Sequence, residues 1–203
     1  FNSMVQADDN TILVGHSHGV AVIKINPGKV QWKKILNEIE DNILSVTKGN
    51  DGLYYLCGKE NGIIRLHYEK GIFGITDTIA TNFVVKSIYH PPGKEIWMAT
   101  GKGLARYNTT TKRYDWYTEQ NGLSNNFVYG VVPDEQGDLW LSTNGGISRL
   151  NLNNNKFYNY GLSEGLQGYE FNSNAFYKTS DGTIYFGGVN GFNYFNPSTI
   201  HEQ

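Results

Sequence analysis

The chain lacks most of what would make it reactive or membrane-bound. It has one cysteine, Cys57, in 203 residues, so no disulfide can form within it. Cys57 stands in the apolar stretch YYLCG and is read as a small buried strand residue. Proline is scarce, at 5 residues, which leaves long stretches of backbone able to donate to a sheet ladder. No apolar run approaches the ~20 residues that a membrane-spanning helix needs. Neither sign of charge dominates. With 17 Lys and Arg against 19 Asp and Glu the net charge is −2, and no basic stripe stands out, which argues against a nucleic-acid partner. The sequence has no HExxH, nucleophile elbow or phosphate loop. Gly101-Lys102-Gly103 is followed by no helical pattern and reads as a loop. Helical periodicity is confined to Gln31 to Ile43, where Trp32, Ile35, Leu36, Ile39 and Ile43 fall at helical spacing.

What is abundant is glycine (24), tyrosine (14) and phenylalanine (10), a composition of strands joined by tight turns. One glycine keeps returning. Gly19, Gly62, Gly103, Gly146 and Gly191 stand 43, 41, 43 and 45 residues apart, each between two short apolar runs. The copies read NTILVGHSHGVAVIKIN, DGLYYLCGKENGIIRLH, GKEIWMATGKGLARYN, GDLWLSTNGGISRLN and DGTIYFGGVNGFNYFN. This period predicts an all-β protein of β-propeller type, with one four-stranded blade per unit. The five units are placed at 1–40, 41–82, 83–124, 125–168 and 169–203. In the fourth, strands are predicted over Val128–Val132, Leu139–Ser142, Gly146–Asn151 and Lys156–Tyr160. In the fifth they cover Ala175–Lys178, Ile184–Phe186 and Phe192–Phe195, with no clear fourth strand before Asn196-Pro197. The same register places an outer strand and a connection over Gln31 to Ile43, and the strand is favoured there over a helix. Trp97 and Trp140 occupy equivalent positions, as do Tyr55 and Tyr185, and are read as wedges between blades.

The repeats GDLWLSTNGGISRLN and EIWMATGKGLARYN, each followed by an aromatic outer strand and NGLSNN or GLSEGLQG, resemble the two-component regulator propeller repeat. The ending YEFNSNAFYKTSDGTIYFGGVNGFNYFNPSTI resembles the last blade of the periplasmic sensor region of hybrid two-component histidine kinases. The resemblance implies a ligand-sensing, non-enzymatic module, placed in the periplasm and linked to a membrane only through a longer parent chain. It also implies a fragment, the C-terminal part of a larger, seven-bladed propeller. An array that does not close leaves apolar faces bare at both ends, so homodimeric self-association is expected.

In a four-stranded blade the connections between blades and the loops between second and third strands share one end. That end is rich in Asn, Gln, Tyr and Glu, which suit the hydroxyls and apolar ring faces of an oligosaccharide. Asn125, Asn126, Asn144, Gln167, Tyr169, Glu170, Asn172 and Asn190 are the candidate ligand residues, against the plainer reading that Asn and Gly serve the turns. Leu123 and Leu166 are expected to plug the connections into the blades. No cofactor, metal or catalytic residue is assigned: His16-x-His18 has no third ligand at recognisable spacing. Two other readings remain. One is a propeller lyase or hydrolase using His16, His18 and Glu170, as in streptogramin-lyase-like propellers. The other is a protein-interaction scaffold.

Overall fold

The computed structural model describes residues 1–200. They form strands where β-branched and aromatic residues run between Gly, Asn and Asp turns. The first sheet comprises β1 (Ser3–Asp8), β2 (Thr11–His16), β3 (Gly19–Asn26) and β4 (Lys29–Ile35). The second comprises β5 (Ile43–Lys48), β6 (Tyr54–Gly58), β7 (Ile63–Glu69) and β8 (Ile72–Ile79). The third comprises β9 (Val85–Tyr89), β10 (Glu95–Thr100), β11 (Gly103–Asn108) and β12 (Tyr114–Tyr117). The fourth comprises β13 (Val128–Pro133), β14 (Leu139–Thr143), β15 (Gly146–Asn151) and β16 (Lys156–Tyr160). The fifth comprises β17 (Phe171–Lys178), β18 (Ile184–Gly188) and β19 (Gly191–Phe195). Each is a meander with strands in chain order, and the fifth has three strands among the described residues. The fold is thus the all-β array of propeller blades expected from the period. It divides into two compact units, Phe1–Glu95 and Ile96–Gln203.

Over Gln31 to Ile43 the outcome is β4 and a connection rather than a helix. Leu36 takes a left-handed conformation (φ 51°), which ends the strand, and Ile39 is buried beneath the first two sheets. Helical spacing arose because the connection returns two apolar residues to the core after β4 has left it. Elsewhere the predicted strands match within a few residues at each end, except that β17 begins at Phe171, four residues before the expected Ala175.

The second strands of the second and fourth sheets are buried on both faces: every residue of β6 and of β14 is buried. In the first unit Leu13, Val22, Ile43, Leu56, Leu66 and Phe73 form one core between sheets one and two. In the second unit Val132, Trp140, Ile147, Phe171, Ile184 and Phe186 form another between sheets four and five.

The recurring glycine has two physical roles. All five copies have φ between 75° and 124°, where a side chain is strained. In four sheets a Cβ there would also collide with a carbonyl oxygen. The oxygen belongs to Ile39 at Gly19, Ile79 at Gly62, Tyr117 at Gly103 and Tyr160 at Gly146. At Gly191 a Cβ would meet nothing within 4 Å.

A second recurring device joins the wedge ring of the second strand, an arginine of the third strand and a carboxylate. Tyr55, Arg65 and Asp77 form one rung of the second sheet, with Arg65 paired to Asp77. In the third, the Arg106 guanidinium lies 5.7 Å from the Trp97 ring centre and 2.8 Å from Asp115. In the fourth, Arg149 lies 5.8 Å from the Trp140 ring and pairs with buried Asp138 at 2.7 Å. The planar cation covers the wedge ring while the carboxylate holds the cation. Polar handles of the wedges are satisfied too. Trp140 Nε1 donates to Asp134 at 2.9 Å, and the Tyr55 hydroxyl donates to Asp51 at 2.7 Å. The wedge reading holds for Trp97, Trp140 and Tyr55, which are buried. Tyr185 is only half-buried, because its rung-mate Tyr194 is exposed and carries no guanidinium.

Candidate functional site

The loops expected to share one end do so within each unit. In the first, Lys59 N donates to Asn42 O at 3.0 Å. In the second, Asn144 N donates to Phe127 O (3.2 Å) and Val189 N to Glu170 O (3.3 Å). Each bond ties a loop after a second strand to the residue just before its own sheet's inner strand.

The connection from β12 to β13 makes one 3-10 turn over Glu119–Asn121 and is then anchored by Leu123, which is buried. Asn125 Oδ1 accepts from Phe127 N at 2.9 Å. Asn126 and Glu119 bond reciprocally: Glu119 N donates to Asn126 Oδ1 and Asn126 N to Glu119 Oε1, both at 2.9 Å. These two asparagines therefore hold the loop, and the turn reading accounts for their bonded oxygens. The connection from β16 to β17 repeats the plan. It has a 3-10 turn over Leu162–Glu164, and Leu166 packs against the core of sheets four and five. Gln167 Oε1 accepts from Asn190 N at 2.8 Å, while its buried Nε2 has no partner. Its amide lies where a Cβ on Gly188 would be. Gln167 and Asn190 are thus loop locks as well.

Two of the remaining candidates, Asn144 and Glu170, lie about a residue that sequence reasoning missed, Tyr129. It is the second residue of inner strand β13, where the pairing with β14 shifts between Val128 and Gly130. Such a bulge re-aims the extra side chain. The equivalent Leu44 sits at the same shift in β5, and Lys86 holds the corresponding place in β9. The available signal was this variable second residue, Leu, Lys or Tyr, in an otherwise apolar inner strand. The Tyr129 hydroxyl donates to Asn144 Oδ1 at 2.7 Å, and its ring meets Phe127 edge-on at 5.0 Å. Burial, then the negative charge of Glu170, push the Tyr129 pKa up, so the phenol stays protonated. Glu170, Asn172, Asn144 and Tyr169 are exposed, Tyr169 at 51 %.

Chemically the cluster offers a donor (the Asn144 amide), two acceptors (the Tyr129 phenol oxygen and the Glu170 carboxylate) and aromatic faces (Phe127 and Tyr129). That set fits a polyhydroxyl ligand. No histidine occurs in the second unit among the described residues. His16 and His18 lie in the first unit, and the chain is not extended through them. His18 N donates to His16 Nδ1 across a turn, and the His16 pKa is lowered by burial first and His18 second. Among the described residues no group of three or more His, Cys, Asp or Glu is arranged to hold a metal ion. Among the described residues no helix is long and apolar enough to cross a membrane.

Comparison with known proteins agrees with this architecture. The family model "Two component regulator propeller" matches residues 122–145, from the β12–β13 connection to the loop after β14. The extracellular domain of one B. thetaiotaomicron hybrid two-component system is 25 % identical with a TM-score of 0.77, covering 96 % of this chain and 27 % of that one. A second such domain from B. thetaiotaomicron is 19 % identical with a TM-score of 0.74, covering 100 % and 30 %. A catalytically inactive virginiamycin B lyase from Staphylococcus aureus, crystallised with quinupristin, shares the fold alone, at 16 % identity and a TM-score of 0.65, covering 98 % and 70 %. No curated protein sequence matches. The chain spans under a third of the two-component domains that it matches. Residues 122–145 match the two-component regulator propeller model, and the chain is similar in fold and sequence to part of the extracellular domain of a hybrid two-component system.

Proposed function

We propose that this chain is the ligand-sensing part of an extracytoplasmic propeller in a hybrid two-component sensor. Its ligand is an oligosaccharide held at the loop end of the second unit. The observation that carries the reading is the β13 bulge. It places a protonated Tyr129 beside Asn144 and Glu170 at an end otherwise closed by loop-locking amides. A sugar would stack on the rings and exchange hydrogen bonds with Asn144 and Glu170, and the parent protein would carry the signal by binding one arrangement better than another. The likeness to extracellular domains of hybrid two-component systems supports the sensor role and the placement outside the cytoplasm.

The test is a thermal-shift screen against defined oligosaccharides, with recovery of each hit. A specific ligand at 100 times its Kd stabilises by about 2.7 kcal/mol. Tyr129→Ala and Glu170→Gln should abolish the shift without lowering the unliganded Tm by more than a few degrees. A hit recovered intact supports the sensor. A hit recovered cleaved favours the lyase or hydrolase reading, and no shift with any sugar favours a scaffold.

A further inference from the structure

The first sheet departs from the recurring rung of ring, guanidinium and carboxylate. Three residues after the recurring glycine stand Arg65, Arg106 and Arg149 in sheets two, three and four, but Val22 in sheet one. Opposite that residue on the outer strand stand Asp77 in sheet two and Asp115 in sheet three, but Lys33 in sheet one. Opposite it on the second strand, where Tyr55 and Trp140 carry rings, sheet one has Leu13. The first rung is therefore Leu13, Val22 and Lys33. It has lost the volume of a ring and a guanidinium, and its outer-strand charge has changed sign.

A cleft of about 550 Å³ opens there, between β4 and the turn from β7 to β8. Its lining includes Val22, Lys24, Gln31, Lys33, Ile35 and Phe73. Val22 and Phe73 belong to the core between sheets one and two, and Ile35 packs against that core. Lys33 pairs with Val22 and Gln31 with Lys24. Cross-strand partners and alternate residues share a face, so both lysines rise from the face that holds Val22. Residues 10–37 contain four lysines and no Asp or Glu. Among the described residues neither Lys24 nor Lys33 is in an ion pair. Asp8, the carboxylate that feels the charge of Lys24, is already bonded by the Tyr68 hydroxyl and the Asn10 amide.

We propose that this cleft binds an organic anion with a flat apolar body, which supplies from outside the ring and the carboxylate that the first rung lacks. The anionic group lies between Lys24 and Lys33, with the Gln31 amide as a further donor, and the body covers Val22, Ile35 and Phe73. The volume is that of an ordinary small-molecule pocket, ~300–1,000 Å³. A neutral sugar would leave both ammonium groups unpaired, and a small inorganic anion would leave the apolar floor uncovered. The cleft shares no residue with the loop end around Tyr129, so it stands or falls separately from the sensor reading.

The probe is 2-naphthoate, titrated into the 203-residue chain and followed through backbone amide chemical shifts. The expected shifts are centred on residues 22–36 and 71–73, and they weaken as salt screens the pair. Neutral 2-naphthylmethanol should bind about tenfold more weakly, and Lys24→Gln or Lys33→Gln should each weaken naphthoate by ~2- to 5-fold, the worth of an exposed ion pair. Lys33→Asp should lose naphthoate and gain 2-naphthylmethylammonium, a reversal that an unfolded variant could not show. The proposal is overturned if naphthoate at ~5 mM, enough to half-fill even a weak site, leaves these amides unmoved. It is overturned as well if the neutral analogue binds as tightly, or if the lysine variants bind as the parent does. Equal affinity for acetate would reduce the cleft to a patch of surface charge and would also overturn it.

Discussion

At the residue scale the decisive groups are buried ion pairs and rings. Asp138 and Arg149 are both buried and bonded at 2.7 to 2.8 Å. Burial works against the Arg149 charge, and the bonds to Asp138 and Tyr160 outweigh it, so its pKa lies above the ordinary value. Asp138→Ala leaves a guanidinium uncompensated and should cost about 3–5 kcal/mol in urea denaturation. Trp140→Ala should cost a similar ~3–5 kcal/mol by opening a cavity between sheets four and five. Trp32→Ala should stay within about 0.5 kcal/mol, since that ring is 69 % exposed. Burial pushes the Cys57 thiol up to about 12, partly opposed by a bond with Ser45. The folded state then holds its proton where the unfolded state has lost it. The stabilising contribution is therefore complete below pH ~9 and is lost progressively between pH ~9 and ~12. Denaturation midpoints should fall across that window, and folded protein at pH 8 should resist iodoacetamide.

At the element scale the same glycine has different consequences in different sheets. Gly146→Ala combines left-handed strain with a collision against the Tyr160 carbonyl, and should detach β16. Gly191→Ala carries the strain alone, ~1–2 kcal/mol. Comparing the two Tm values checks whether the outer strand is what makes this position obligatory. The connections carry a related contrast. Asn126→Ala breaks its bond with the Glu119 amide and should lower stability by about 0.5–1.5 kcal/mol while leaving any ligand affinity nearly intact. Tyr129→Ala should do the reverse. If the losses fall the other way round, the loop locks rather than the bulge are the ligand groups.

At the scale of the whole molecule two exposed apolar faces matter. On the first sheet Met4, Ile25, Val30 and Trp32 are exposed, and the pairing of Ile23 with Trp32 and of Ile25 with Val30 puts rungs of one face together. On the fifth sheet the tyrosine ladder is exposed. Blades bury such faces against neighbours, so the 203-residue chain should self-associate with rising concentration. Light scattering across a hundredfold dilution checks this, and a concentration-independent monomer would count against it.

Five sheets, most strand limits and the loop end were legible in the sequence, because a period of 41 to 45 residues forces equivalent residues into equivalent environments. The wedge role of Trp97 and Trp140 followed from the same repetition. The ligand candidates were less legible. Asn and Gln look alike in sequence whether they lock a turn or face a ligand, and only hydrogen-bond partners separate Asn126 from Asn144. Tyr129 was hidden because a bulge is a shift in pairing between two strands, which no single strand's composition records. Local pattern and spacing determined which residues are strand, turn and core. Tertiary structure decided which polar side chains are already bonded, which ring is turned outward and which strand position stands open, because these depend on partners distant in the chain.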